Sequence, residues 1–268
     1  MLPLGSADLP VDATTLADSI ARGFATLFDL GKSTLVVEPG RSKWPAVDTI
    51  AIDLTGARAK LDRPDAPDLN DVLDEFEVSA RSIRLSGKPI KIDAASLTLD
   101  LSTQAARIWI WRDRSGRAFW AVSSAGTGSI HLDFLTRELE GLLMSLLTPW
   151  AQKHHGIAIR KIELSLKPID DRSLTADVTI TAAKSFLTAV LRVGGRLSID
   201  DHLNAHLENL SCRGEGMVGT AAAAMIRPKL EAVFEKPIPL ATFLGPGIRL
   251  NGVKLSVTDR VAVDARWE

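Results

Sequence analysis

The hydrophobic positions of this chain switch between two periods, and the switches mark out its elements. From Thr14 to Leu30 the residues Leu16, Ile20, Phe24, Leu27 and Phe28 recur at helical spacing, which predicts a first helix. Asp12 or Thr14 stands where an N-cap belongs, and Gly31 where a C-cap glycine belongs. From Ser33 to about Leu132 the period becomes two: Ile50, Ile52 and Leu54, then Phe76, Val78 and Ala80, Ile90 and Ile92, and Leu97, Leu99 and Leu101. Ile108–Trp111 and Ala118–Val122 flank Asp113-Arg114-Ser115-Gly116, a hairpin signal, while Asp62 to Asp74, with Pro64 and Pro67, reads as a solvated loop.

Leu132 to Trp150 returns to helical spacing, with Leu135, Leu139, Leu142, Leu143, Leu146 and Leu147 in a broad stripe and Pro149 marking its end. Strands resume through Ile162, Leu164 and Leu166, turn at Asp170-Asp171, and continue through Leu174 to Ile180, Phe186 to Val193, a Gly194-Gly195 break, and Leu197 to Leu210. Gly214 to Phe234 predicts a third helix, kinked at Pro228, and Ile248 to Val257 with Val261 to Trp267 a terminal hairpin. Short connections between successive strands favour antiparallel meanders. The expected fold is α+β, one domain over 1–268. Its two blocks are a helix plus first sheet (13–132), and two helices plus second sheet and terminal hairpin (133–268).

Composition narrows the function classes. Hydrophobic residues make up 46% of the 268, but only 5% are aromatic and tyrosine is absent, so aliphatic side chains carry a deformable core. The 32 basic and 33 acidic residues nearly cancel, which gives no field to draw nucleic acid or an anionic membrane. Cys212 is the single cysteine and excludes an internal disulfide. No signal peptide is visible and no apolar run reaches bilayer-spanning length. The chain reads as soluble and cytoplasmic, or as periplasmic or cell-envelope if a leader preceded it.

The third helix is thin, with Gly214, Gly216, Gly219 and Ala221 to Ala224 on several faces, whereas the second is loaded with large aliphatics including Met144. A thin helix laid along a curved sheet leaves an apolar slot. The residues expected to line it are Leu139, Leu142, Leu143 and Leu146 with Val218, Ala221, Ala222 and Met225. Other stretches carry a resemblance: the helix entering the first strand (Leu16 to Val37), the strand from Val47 after Trp44-Pro45, Pro237-Ile238-Pro239-Leu240, Leu244 to Val253, and Asp259 to Ala265. In these the chain resembles the tubular lipid-binding (TULIP) superfamily of BPI-like and SMP-type domains, in its bacterial LmeA-like branch. The resemblance implies a highly curved antiparallel sheet wrapped around long helices, three helices in all, with an internal apolar tube for lipid. It departs from the family in lacking a visible signal peptide and in the tryptophans between Arg107 and Gly128.

Catalytic and metal chemistry is weakly signalled. His202 and His206 with nearby Cys212 suggest ligands, but positions four apart on a strand lie about 13 Å apart, too far for one ion. His154-His155 fits the end of a helix, where cations are favoured. Gly214-Glu215-Gly216-Met217-Val218-Gly219 spells a dinucleotide-type glycine pattern without the parallel βαβ unit it requires, so its glycines are expected to let the helix start lie close to a strand or to an acyl chain. No serine elbow or apolar carboxylate pair is present, so an ester hydrolase ranks last and no cofactor is expected. Arg107, Arg112, Arg114 and Arg117 beside Trp109, Trp111 and Trp120 read as a solvated hairpin end or a membrane-docking edge. The functional expectation is a non-enzymatic carrier of a lipid or hydrophobic small molecule, with transient membrane contact and no nucleic acid. The alternative is a non-catalytic structural or interaction module of the cell envelope with a filled core.

Overall fold

The computed structural model describes residues 1–40, 43–60, 71–184, 187–234, 237–240 and 248–268. The chain is α+β, with mostly antiparallel sheets and three helices. A first sheet of 11 strands holds β1 (Leu2–Pro3), β2 (Phe28–Asp29), β3 (Thr34–Pro39), β4 (Ala46–Asp53), β5 (Arg58–Ala59), β6 (Val72–Ile92), β7 (Ala95–Asp113), β8 (Ala118–Ser124) and β9 (Gly128–Leu135). A second sheet runs in the order β10 (Ala158–Asp170), β11 (Ser173–Lys184), β12 (Leu187–Ile199), β13 (Asn204–Glu215), β14 (Ile238–Pro239). The terminal hairpin of β15 (Leu250–Val257) and β16 (Arg260–Trp267) returns to the first sheet, where β16 pairs with β9.

The first helix, α1 (Ala13–Leu27), begins where the sequence predicts. Asp12 accepts from the Thr15 N–H at 2.7 Å while Thr15 Oγ1 accepts from the Asp12 N–H, a capping box. Its apolar face, Leu16, Ile20 and Phe24, is buried against Ile50, Val78, Ile83, Ile108, Ile110 and Trp120, the main core. The helix stops at Leu27, so Gly31 (φ +53°) serves a turn and not the C-cap. The separate strands read between Phe76 and Ile92, and between Leu97 and Trp111, are single long strands paired as one hairpin. A bulge between Gly87 and Ile90 and a left-handed Ala105 (φ +50°) absorb the apparent breaks. One pairing runs against the meander: β4 lies parallel to β6, with Ile50 beside Ile83 and Ile52 beside Leu85.

The other helices differ in extent from the sequence reading. Leu132 to Leu135 belong to β9, and α2 (Thr136–His155) runs through Pro149 to a left-handed Gly156 whose N–H bonds back to Gln152. Pro149 is solvent-exposed, so its ring sits on the outer side of the helix, and the αL glycine supplies the stop. The third helix, α3 (Gly216–Phe234), starts two residues later than predicted, because Gly214 and Glu215 still pair with β12, and it continues through Pro228. The Gly194-Gly195 break does not form: β12 runs through it, and a bulge with left-handed Asn209 on β13 takes up the irregularity. Both α2 and α3 lie beside the second sheet with faces in solvent, and are not wrapped by it.

Candidate functional site: a half-open apolar sheet face

The second sheet sorts its side chains through its middle rows. Directly opposed residues share a face, and the register gives the rows Ile162–Ile180–Leu191–Gly214, Leu164–Val178–Val193–Cys212 and Leu166–Ala176–Gly195 on one side. The intervening rows, Glu163–Thr179–Arg192–Arg213 and Ser165–Asp177–Gly194–Ser211, face the other way. One face is therefore aliphatic, with the Cys212 thiol as the sole hetero-atom in these rows, and the reverse is polar and charged.

Neighbouring elements cover the aliphatic face unevenly. At one end Leu174 and Ile199 are buried under Val253, Leu255 and Val257 of the terminal hairpin. Along β10, α2 protects the sheet edge: Glu140 accepts from the Leu164 N–H at 2.8 Å, and Glu138 accepts from Ser96 N–H of the first sheet at 2.7 Å. On the opposite side α3 folds back over the face. A Cβ on Gly214, which points to the aliphatic side, would overlap the Gly219 carbonyl, and one on Gly219 would lie 3.0 Å from the Val190 carbonyl. The glycine pattern thus serves close approach of helix to strand, in an all-antiparallel setting that gives no dinucleotide fold. Strands β10 and β13 are three spacings apart, about 14 Å. Between the helices Leu164, Val178, Ile180, Ala182, Ala189 and Val193 stay half-buried.

The eight residues expected to line an apolar slot divide between the two flanks. Leu139, Leu142 and Leu143 are half-buried on α2, and Leu146 is 48% exposed. On α3, Ala222 is half-buried, Ala221 is exposed, and Val218 and Met225 are 40% and 70% exposed. The floor, Val178, Ile180 and Val193, escaped the sequence reading. Its alternation was visible, but alternation looks the same under a packed cover and under an open one.

The other candidates resolve into structural roles. Arg107 pairs with Glu77 (3.4 Å), Arg114 with Asp71 (3.4 Å), Arg117 with Asp113 (3.0 Å) and Arg112 with Asp74, so cross-strand acids neutralise the cluster. Trp109 stacks on Trp111 at 4.2 Å and donates to Glu75, whereas Trp120 packs with Phe24 in the α1 core. His202 lies in a turn and not on a strand, because Asp200 accepts its N–H, and His206 meets the same carboxylate at 2.9 Å. His154 and His155 fall within the last turn of α2. Among the described residues no cluster of three metal-ligating side chains occurs. A polar open depression of about 510 Å³ lies at the strand turns, lined by Asp170, Arg172, Ser173, Arg196, Asp200 and Asp201 among others. Its carboxylates are engaged locally: Asp170 by Arg172 N–H and Ser173 Oγ, Asp201 by Arg172.

Fold and site together define a class: an α+β protein whose second antiparallel sheet offers an aliphatic face between two helices. Set against protein-family models, curated protein sequences and solved structures, the chain matches none. No helix among the described residues is long and apolar enough to cross a membrane.

Proposed function

We propose that the chain binds and carries a lipid or other hydrophobic small molecule on the aliphatic face of its second sheet, without catalysis. The observation that carries this reading is the half-buried strip from Leu164 to Val193 between α2 and α3. Such surface is normally covered, and an apolar ligand lying on it gains burial at roughly 25 cal/mol per Å². The floor offers no hydrogen-bonding row, so a hydrocarbon loses nothing there while a polar molecule forfeits its hydrogen bonds. Leu139, Leu142 and Leu143 form one bank and Ala222 the other, while Leu146, Val218, Ala221 and Met225 stand exposed on the outer sides of the two helices. The kinship to TULIP domains belongs to the same proposal, with an open trough in place of a closed tube. The exposed Met217 and Met225 suit transient contact with a membrane that supplies the ligand. A filled-core interaction module is the rival, favoured by the tightly buried α1 half.

Native mass spectrometry and organic extraction of protein purified from a lipid-rich host decide between them. The expected result is co-purified lipid and saturable uptake of a fluorescent fatty acid. Leu143→Trp and Ala222→Trp should abolish uptake while leaving the circular dichroism unchanged. Protein that carries no lipid and takes up none overturns the reading, and unchanged uptake in both variants removes these banks from the site.

A further inference from the structure

The charges of the chain cancel overall, but along the second sheet they do not. Beyond the row Leu164–Val178–Val193–Cys212 the strands run to one end, where α2 passes into β10, β11 into β12 and β13 into α3. This end carries Lys153, Arg160, Lys161, Lys184, Arg192 and Arg213 against two acids, Glu163 and Glu215. Both acids are paired there, Glu163 with Lys161 at 2.7 Å and Glu215 with Arg192 at 2.5 Å. Lys153, Arg160 and Arg213 are exposed. The turns at the opposite end hold Asp170, Asp171, Asp200 and Asp201, of which Asp201 meets Arg172 and Asp171 meets Lys254. The sheet is therefore polarised, with excess base at one end and four aspartates at the other.

The basic end is also apolar on one side. The register of β11 with β12 runs without a shift to Lys184 and Leu187, so the pairs Ile180–Leu191 and Ala182–Ala189 lead to Leu187, which is 44% exposed. At the same end α3 begins with Met217, 90% exposed, and Val218, 40% exposed. Ala221, Ala224 and Met225 continue the exposed side, and no charged residue occurs from Gly216 to Ile226. These six side chains fall short of the roughly 800 Å² per partner that a stable dimer buries. The bases around them would also repel a second copy. A bilayer asks for less area: apolar side chains enter the headgroup boundary, and basic ones meet anionic headgroups. We infer that this end of the second sheet docks on an anionic membrane, with Leu187, Met217 and Val218 entering the headgroup layer and Lys153, Arg160 and Arg213 meeting lipid phosphates. The inference rests on reading the aliphatic face as a lipid site, because the strip from Val178 and Val193 to Leu187 then opens at the bilayer.

The test is flotation of the whole protein with vesicles of phosphatidylcholine, alone or mixed with phosphatidylglycerol. The protein should float with the anionic vesicles and not with the neutral ones, and added salt should release it. Met217→Glu and Leu187→Glu place a charge at positions open to water. Each should leave the urea midpoint unchanged while affinity for anionic vesicles falls about tenfold or more. Lys153→Glu combined with Arg160→Glu should lower that affinity by a similar factor and flatten its salt dependence. Arg114→Glu, at the tryptophan hairpin, should leave it unchanged. No flotation with anionic vesicles at low salt overturns the inference, and so does equal flotation with both kinds. Unchanged affinity in the Met217, Leu187 and Lys153 variants overturns it, as does a loss that follows Arg114→Glu instead. A dimer in sedimentation velocity that Met217→Glu dissolves gives the surface to a second copy and overturns it too. Fatty-acid uptake is measured without vesicles, so its failure leaves the docking result standing, and failure to dock leaves the carrier reading to be judged by uptake.

Discussion

The Asp200 carboxylate accepts hydrogen bonds from the Asn204 backbone, the His206 ring, the Asn204 amide and the His202 backbone, in an exposed turn. The Asn204 N–H, followed by His206, holds it far below the ordinary carboxylate value of 3.8. The same direction holds for Asp170, chiefly through the Arg172 N–H, and for Asp12 at the cap of α1, through Thr15. Asp113 is buried, which by itself opposes ionisation, but Ser115 and Arg117 donate to it and outweigh that cost. All four bind protons more weakly folded than unfolded. Their contribution is complete above about pH 5 and shrinks as pH falls through the ordinary value towards their depressed ones. The urea midpoint should therefore drop steadily from pH 5 to pH 2, and Asp200→Asn should make that drop shallower. A midpoint independent of pH in this range contradicts the assignment.

Among the elements, α2 ties the two sheets together, with Glu138 on Ser96 and Glu140 on Leu164. The second contact caps an otherwise open N–H on edge strand β10, the kind of edge that recruits other chains. Glu140→Ala should cost about 1–2 kcal/mol in urea unfolding and raise the rate of aggregation on storage, read by light scattering. Much at this scale was legible beforehand. The spacing of Leu16, Ile20 and Phe24 located α1, and Asp113–Gly116 located the β7–β8 turn, because both signals are local. Pro149 misled, since a proline on the solvent side does not stop a helix that finds its glycine at 156. The parallel seating of Ile50 beside Ile83 left no trace, because alternation says which face a residue takes and not which strand lies next to it. The banks of the site showed as leucine and alanine stripes for the same local reason. The openness of its floor depends on what Val178 and Ile180 fail to meet, and no local signal encodes that.

At the scale of the whole molecule, the second sheet with its two helices is inserted between β9 and β15 of the first. Val263 pairs with Leu132, Trp267 lies against Gly128, and the Trp267 indole donates to Thr103 across 164 positions. This connectivity has a consequence for synthesis. A chain emerging from the ribosome can zip the β6–β7 hairpin at once, from the tight turn at Asp93-Ala94. The outer edge of β9 then waits, unpaired, while more than a hundred further residues are made, and closes only when β16 arrives. Deleting residues 249–268 should therefore release chains with β6–β7 formed and β9 exposed, recovered mainly as aggregates, and supplying the hairpin as a separate peptide during refolding should restore soluble protein. The strand that covers the β9 edge is thus made long after the edge itself.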